Sequence, residues 1–193
     1  MAIGSGSSGL LGGMIRRKVF VSYHHDNDQW DREKFETLFS NHYNIIISKS
    51  VQLGEINPLL PTETIRQKIR DNYLRDSTVT VVLIGTETWK RKHVDWEIAS
   101  SIRHTKYNSR SGLIGIFLPD HPDFGRDKYN PYIIPPRLYY NSECGYASLH
   151  DWTDDPTIVY NWINAAFNRR AKAIPDNSYP SFAKNRSGER WTI

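Results

Sequence analysis

An α/β three-layer sandwich, with a mostly parallel sheet of about five strands between two layers of helices, is the architecture this sequence predicts. Three observations predict it. Short β-branched runs alternate along the chain with stretches whose apolar residues recur at helical spacing. The runs at 18–23, 44–48, 78–84 and 113–118 are nearly continuous in apolar character, as strands covered on both faces must be. The chain has 193 residues, enough to bury the core of one such domain.

The elements follow in order. Lys18-Val19-Phe20-Val21-Ser22-Tyr23 reads as the first strand, ended by Asp26-Asn27-Asp28. From 28 to about 41, Trp30, Phe35, Leu38 and Phe39 recur near helical spacing, and Asp28 is the expected N-cap. Asn44-Ile45-Ile46-Ile47-Ser48 is a second short strand, followed by a loop from 49 to 61 that holds Gly54, Pro58 and Pro61. Thr62 is placed to cap a helix to about 75, with Ile65, Ile69 and Leu74 on one side. The third strand is 78–84 and the next helix runs from about 92 to 107. After the fourth strand at 113–118 comes a Pro-, Asp- and Tyr-rich segment to 136. The fifth strand falls at 137–140 or at 147–152. Asp155-Pro156 opens a last helix through Trp162 and Phe167, with Pro156 in its first turn. Beyond Arg170 the polar tail is expected to wrap the surface or to be disordered.

Domain organisation is read accordingly. Residues 1–13, Gly/Ser-rich and without a basic stretch, are expected to be a vector-derived or flexible leader, with the natural chain starting at Met14. The folded domain is expected over 14–170 and a C-terminal extension over 171–193. No apolar run approaches the ~20 residues that span a bilayer. A lone Cys144 cannot form an internal disulfide. A cytoplasmic protein without membrane partners is therefore expected. The net charge of +4 permits anionic ligands without demanding nucleic acid.

At this size the commonest strand order is 2-1-3-4-5, the flavodoxin-like arrangement. It places a ligand crevice outside the carboxyl ends of strands one and three, where the order reverses. That rule gathers Tyr23, His24, His25 and Asp26 after strand one, Ser48 after strand two, and Gly85 to Trp89 after strand three. Val94, Ile98 and Ile102 recur every four residues and should face the sheet. Glu97 then lies roughly 100° from that stripe, at its edge, where a carboxylate stays partly solvated and still reaches a ligand. His93 lies one turn earlier on the same side. Two readings of Glu97 stand side by side: a helix-start residue favoured by the helix dipole, or an acid that works on a ligand.

Other chemistries fit less well. His24 and His25 are adjacent on an extended segment and point to opposite sides, a poor start for a metal site. Phosphate-binding glycine motifs and the G-x-S-x-G elbow are missing from the sequence. Strand three ends Leu83-Ile84-Gly85, without the aspartate a receiver domain needs. Trp89 and Trp96 flank the expected crevice, and flat rings can stack on a purine or a nicotinamide cation. The basic residues around 66–75 and 90–92 either draw in a pyrophosphate or form solvated helix faces.

Here the residues match a known family. The Lys18-Val19-Phe20-Val21-Ser22-Tyr23 box resembles the first strand of TIR domains. The Leu83-Ile84-Gly85 ending and Val94-Asp95-Trp96-Glu97-Ile98 resemble prokaryotic TIR-like proteins, in particular the TIR-like component of Thoeris antiphage defence. The resemblance covers residues 18–118 well and extends towards Phe167. It implies an enzyme that cleaves the nicotinamide–ribose bond of NAD, with NAD as substrate and neither cofactor nor metal. Glu97 would be its catalytic carboxylate. Phe20, Ser22, Tyr23, His24, Asp26, Ser48, Gly85, Trp89, His93 and Trp96 would form its substrate-binding set, beside a mobile loop at 49–61. It further implies a cyclic ADP-ribose-type product that switches on a separate NAD-depleting effector, and a possible homo-oligomer. A non-catalytic module signalling through TIR–TIR assembly is the alternative. Two departures stand out: His93 occupies the position of a tryptophan in animal TIR enzymes, and Ser48 that of an aspartate in many members.

Overall fold

The computed structural model describes residues 15–49, 60–105 and 109–192. Five parallel strands form one sheet in the order β2-β1-β3-β4-β5, as the sequence predicts. They are β1 (Arg17–Ser22), β2 (Ile46–Lys49), β3 (Val79–Ile84), β4 (Gly112–Phe117) and β5 (Ala147–Asp151). The helices are α1 (Gln29–Glu36), α2 (Thr62–Lys68), α3 (Lys92–Ser101), α4 (Pro136–Glu143) and α5 (Pro156–Arg169). The fold is the flavodoxin-like three-layer sandwich. The open alternatives for the fifth strand resolve to the second, and the 137–140 segment lies within α4.

Strand alternation builds the two outer layers. Val19, Val21 and Tyr23 face a cluster with Phe35 and Phe39 near α1 and with Val159, Ile163 and Ala166 of α5. Phe20 faces the opposite side, against Ile65, Ile69, Leu74 and Trp96. In β3 and β4 the same alternation sends Val82, Ile84, Leu113 and Phe117 to a third cluster with Val94, Ile98 and Ile102 of α3 and Leu138 of α4. Each buried aliphatic side chain of this kind contributes about 1.5–3 kcal/mol.

Several local expectations are corrected. Both α1 and α2 end in a wider π-type turn, Thr37–His42 and Ile69–Tyr73. Thr62 is the first residue of α2 rather than a cap before it. Helix α3 stops at Ser101 instead of near 107, and residue 107 itself lies outside the described residues. So do the leader at 1–13 and most of the loop at 49–61. Asp155 does cap α5, accepting from Thr157 N at 2.8 Å and Ile158 N at 3.2 Å, with Pro156 in the first turn.

Of the two expectations for the tail beyond Arg170, wrapping is the one observed. It crosses the outside of α3 and α4 and buries Phe182 and Trp191. At its centre the Arg137 guanidinium, wholly buried, donates to Asp95 Oδ1 at 2.9 Å, Asn177 Oδ1 at 2.6 Å and the Tyr179 carbonyl at 2.6 Å. Asp95 also accepts from Phe182 N at 3.0 Å, and Trp96 Nε1 donates to the Phe182 carbonyl at 2.9 Å. Trp191 Nε1 donates to Ile134 O at 2.8 Å. The buried charge pair thus has its remaining donors and acceptors matched, the condition under which such a pair is tolerated.

Candidate active site

Helix α3 is delivered to the carboxyl edge of the sheet by a short connection. β3 ends at Ile84, Gly85 opens a turn, a 3-10 turn spans Thr88–Lys90, and the backbone extends at Arg91 before the helix begins. Six residues into α3 stands Glu97. Its Oε2 accepts a hydrogen bond of 2.5 Å from the hydroxyl of Ser22, the last residue of β1. The contact joins positions 75 apart in sequence. It lies beside the β1/β3 boundary, where the strand order reverses and α/β sheets bind ligands.

The carboxyl is not at a solvated rim. Glu97 is 2% exposed, because the described residues of α3 from Val94 to Ser101 are buried, with the sheet on one side and the tail on the other. The stripe of Val94, Ile98 and Ile102 correctly marks the sheet-facing side. It could not show that a non-helical segment covers the opposite side. Burial pushes the Glu97 carboxyl up to about 8, opposed by the Ser22 hydrogen bond. At neutral pH it is therefore mostly the uncharged acid.

The imidazoles nearby are shifted towards their uncharged forms as well. Burial, followed by the Lys92, His25 and Arg91 charges, lowers His93 to about 4. Burial lowers His24, reinforced by Arg91, and burial lowers His25. His93 packs edge-on against Trp96, ring centroids 5.5 Å apart. Arg91, half-buried just before α3, reaches across to the loop after β1, where its Nε meets His24 Nε2 and its Nη2 lies 3.3 Å from Asp26 Oδ2. His24 Nδ1 accepts from the backbone N–H groups of Asp26 and Asn27, which fixes the ring. The arrangement holds a neutral buried acid on Ser22, and separately ties the loop after β1 to Arg91 through His24 and Asp26.

The sequence-predicted residues distribute unevenly. Ser22 bonds the Glu97 carboxyl directly, while His24, bonded to Arg91, Gly85, bonded to Thr88, and His93, packed on Trp96, stand nearby along the chain. Tyr23 packs in the α1/α5 cluster and donates from Oη to Gln29 Oε1 at 2.7 Å. Burial raises its pKa, and the Glu97 charge, still within reach, adds to the rise. Asp26 is exposed and serves as Arg91's partner. Phe20 and Trp96 are core residues packed under α2, and Trp89 is buried as well, so none of the three presents a free face for stacking. Ser48 pairs in register with Val19, three residues before Ser22, and donates to Glu36 Oε1 at 2.7 Å. It therefore lies about 10 Å down the sheet from the carboxyl edge.

Sequence reasoning missed Asp28 and Thr88. Asp28 holds the N-cap position of α1 without making a side-chain cap. Its carboxylate instead accepts from Thr88 Oγ1 at 3.0 Å, and that same oxygen accepts the Gly85 N–H at 2.8 Å. Burial raises Asp28 to about 6 against the Thr88 hydrogen bond. Gly85 is required here, since a Cβ at this position would come within 2.4 Å of Asp28 Oδ1. The one available signal was Gly85 followed three residues later by a hydroxyl, a common turn pattern. Among the described residues no group of three or more His, Cys, Asp or Glu side chains is placed to hold a metal ion. No described helix is long and apolar enough to cross a membrane.

The sheet order defines a flavodoxin-like α/β domain with a buried acidic residue on the helix after β3. The family model described as "Thoeris protein ThsB, TIR-like domain" matches residues 20–123, just over half of the chain. The chain belongs to that family, the TIR-like domains of Thoeris defence proteins. Among solved structures it is similar to the TIR domains in "Structure of the activated Roq1 resistosome directly recognizing the pathogen effector XopQ". That likeness has 12% identity and a TM-score of 0.38, over 80% of this chain and 84% of that one. The fold assignment rests on the sheet order itself. No curated protein matches the chain.

Proposed function

We propose that this protein is an NAD-cleaving TIR enzyme that breaks the nicotinamide–ribose bond and closes the product into a cyclic ADP-ribose-type signal. In antiphage defence that signal would activate a separate NAD-depleting effector. The observation that carries this reading is the Glu97 carboxyl, hydrogen-bonded to Ser22 at the switch point of the sheet and held uncharged by burial. A carboxyl with a raised pKa in that position is suited to catalysis. Approach of the positively charged nicotinamide riboside moiety favours the ionised form, so substrate binding draws on the carboxylate fraction and the displaced proton is released to solvent. That carboxylate then holds the ribose hydroxyls and stabilises the oxocarbenium-like charge as nicotinamide leaves. Capture of the ribosyl cation by water gives linear ADP-ribose, and capture by a group of the same molecule gives a cyclic isomer. Arg91 at the margin supplies positive charge for the pyrophosphate.

The near-complete burial of Glu97 favours a second reading, a module that signals by TIR–TIR assembly without chemistry. One experiment separates the two. The protein is incubated with NAD, alone and in lysate from infected cells expressing it, and the products are followed by mass spectrometry. Nicotinamide release with a cyclic or linear ADP-ribose species is expected, reduced at least ~100-fold in Glu97→Gln, the scale of losing a charge-stabilising group. Equal defence by wild type and Glu97→Gln, or no nicotinamide release in either setting, would eliminate the enzyme reading.

A further inference from the structure

At the end of the sheet opposite Glu97, the amino ends of β1 and β3 and the segment before β4 enclose an open cavity of about 410 Å³. Lys18, Ser77, Thr78, Ser109 and Arg170 line it, with Leu74 and Asp76. Two of these residues carry a buried polar atom with no hydrogen-bond partner, Ser77 Oγ and Arg170 Nη1. Buried polar groups are satisfied almost everywhere in folded proteins, so two in one wall call for an explanation. Ser77 itself is 4% exposed.

The local charge is unbalanced in the same direction. Arg170 and Arg17 both stack on the Phe167 ring, their guanidinium carbons 4.0 and 3.7 Å from its centre, which brings two like charges to one side chain. Burial, with Arg17 adding to it, holds the Arg170 pKa below its ordinary value. Lys18 stands on the same wall, and the carboxylate facing it is Asp76, 3.7 Å away and largely exposed. The wall therefore offers cations, with one carboxylate to set against them and the unpartnered Ser77 hydroxyl buried directly behind.

We propose that this cavity is a second ligand site, for a phosphate monoester of up to mononucleotide size, held by Lys18 and Arg170, with the unpartnered Ser77 hydroxyl just beneath the surface turning to meet it. A phosphate offers acceptors in several directions at once, which suits a guanidinium, an ammonium and a hydroxyl converging from different elements. The volume exceeds what a bare phosphate fills and falls within the range of small-ligand pockets. The site shares no residue with the Glu97 region and does not depend on the enzyme reading.

The test is titration of the full chain at constant ionic strength with inorganic phosphate, AMP and adenosine, followed by amide NMR signals and calorimetry. Saturable shifts at Ser77, Thr78 and Ser109 are expected with phosphate and AMP and not with adenosine. Lys18→Ala and Arg170→Gln should each weaken binding about fivefold or more. Asp76→Asn should tighten it, because the competing carboxylate is gone while asparagine tolerates the φ of +67° at this position. Glu97→Gln should bind as wild type does. Lys18 is partly exposed, so its variant keeps the fold and stands as the control if Arg170→Gln melts early. Three results overturn the proposal: no saturable shift at the three amides, adenosine acting as well as AMP, or affinities unmoved by Lys18→Ala. Phosphate acting as well as AMP assigns the site to the free anion; a preference for AMP assigns it to a nucleotide.

Discussion

Ser22 and Glu97 depend on each other through a single proton. The hydroxyl stabilises the ionised carboxyl and burial opposes it, and burial is the larger effect. If the carboxylate is the working form, kcat/KM for NAD cleavage rises about tenfold per pH unit below 8 and levels above it. Ser22→Ala removes the contribution that favours the anion, so the Glu97 pKa climbs further and the profile moves to higher pH. Rate measurements on the two proteins from pH 6 to 10 check this, and a shift towards lower pH would contradict it. The same coupling gives wild-type stability a fixed sign. The folded-state pKa of Glu97 lies above the unfolded value, so its favourable contribution is complete below about pH 4.5. It is lost as pH climbs towards about 8, at up to about 1.4 kcal/mol per pH unit. Glu97 was legible in the sequence as a position, from its distance to a buried strand and its place on α3. Its protonation state was not, because that depends on complete burial and on a bond to Ser22, 75 positions away in sequence.

At the scale of elements, the connection from β3 to α3 sets where Glu97 and His93 stand. It is fixed by three groups from two connections: Asp28 after β1, and Gly85 and Thr88 after β3. Gly85→Ala would drive a methyl into the Asp28 carboxyl and should cost about 1–3 kcal/mol, the usual penalty for overpacking. Chemical denaturation checks the value. Asp28→Ala in the Gly85→Ala background should recover part of the loss, since the space occupied by the carboxyl is then open. Strand assignments were legible here because parallel strands covered on both faces announce themselves as apolar runs. The end of α3 was not, since nothing periodic changes between Ser101 and residue 107. Asp28 was misread for a different reason. An aspartate before a helix has two possible uses, capping its own helix or bonding another turn, and local sequence does not distinguish them.

The whole molecule is closed by a pair that no local pattern reveals. Asp95 and Arg137 are 42 positions apart, both buried, and the tail residues Asn177, Tyr179 and Phe182 complete their bonding. Removing one member leaves the other as an uncompensated buried charge. Asp95→Ala should therefore cost about 3–5 kcal/mol in urea unfolding, whereas breaking the exposed Lys18–Asp76 pair should cost at most about 1 kcal/mol. A loss below about 1 kcal/mol for Asp95→Ala would show that the tail carries no weight in the fold. The strand order was legible from length and alternation, and the tail was not, because its anchors, Phe182 and Trp191, are isolated apolar residues in a polar segment.

That tail also bears on synthesis. Residues 176–191 leave the ribosome after every strand and helix described here has emerged. A nascent chain can thus complete its sheet and α5 while Asp95, Trp96 and Arg137 still face water. Helix α3 then has one bare side, and Arg137 lacks its acceptors on Asn177 and Tyr179. A copy nicked before Asn177 would keep the sheet while its Asp95–Arg137 pair faced water, short of the acceptors and donor that complete it.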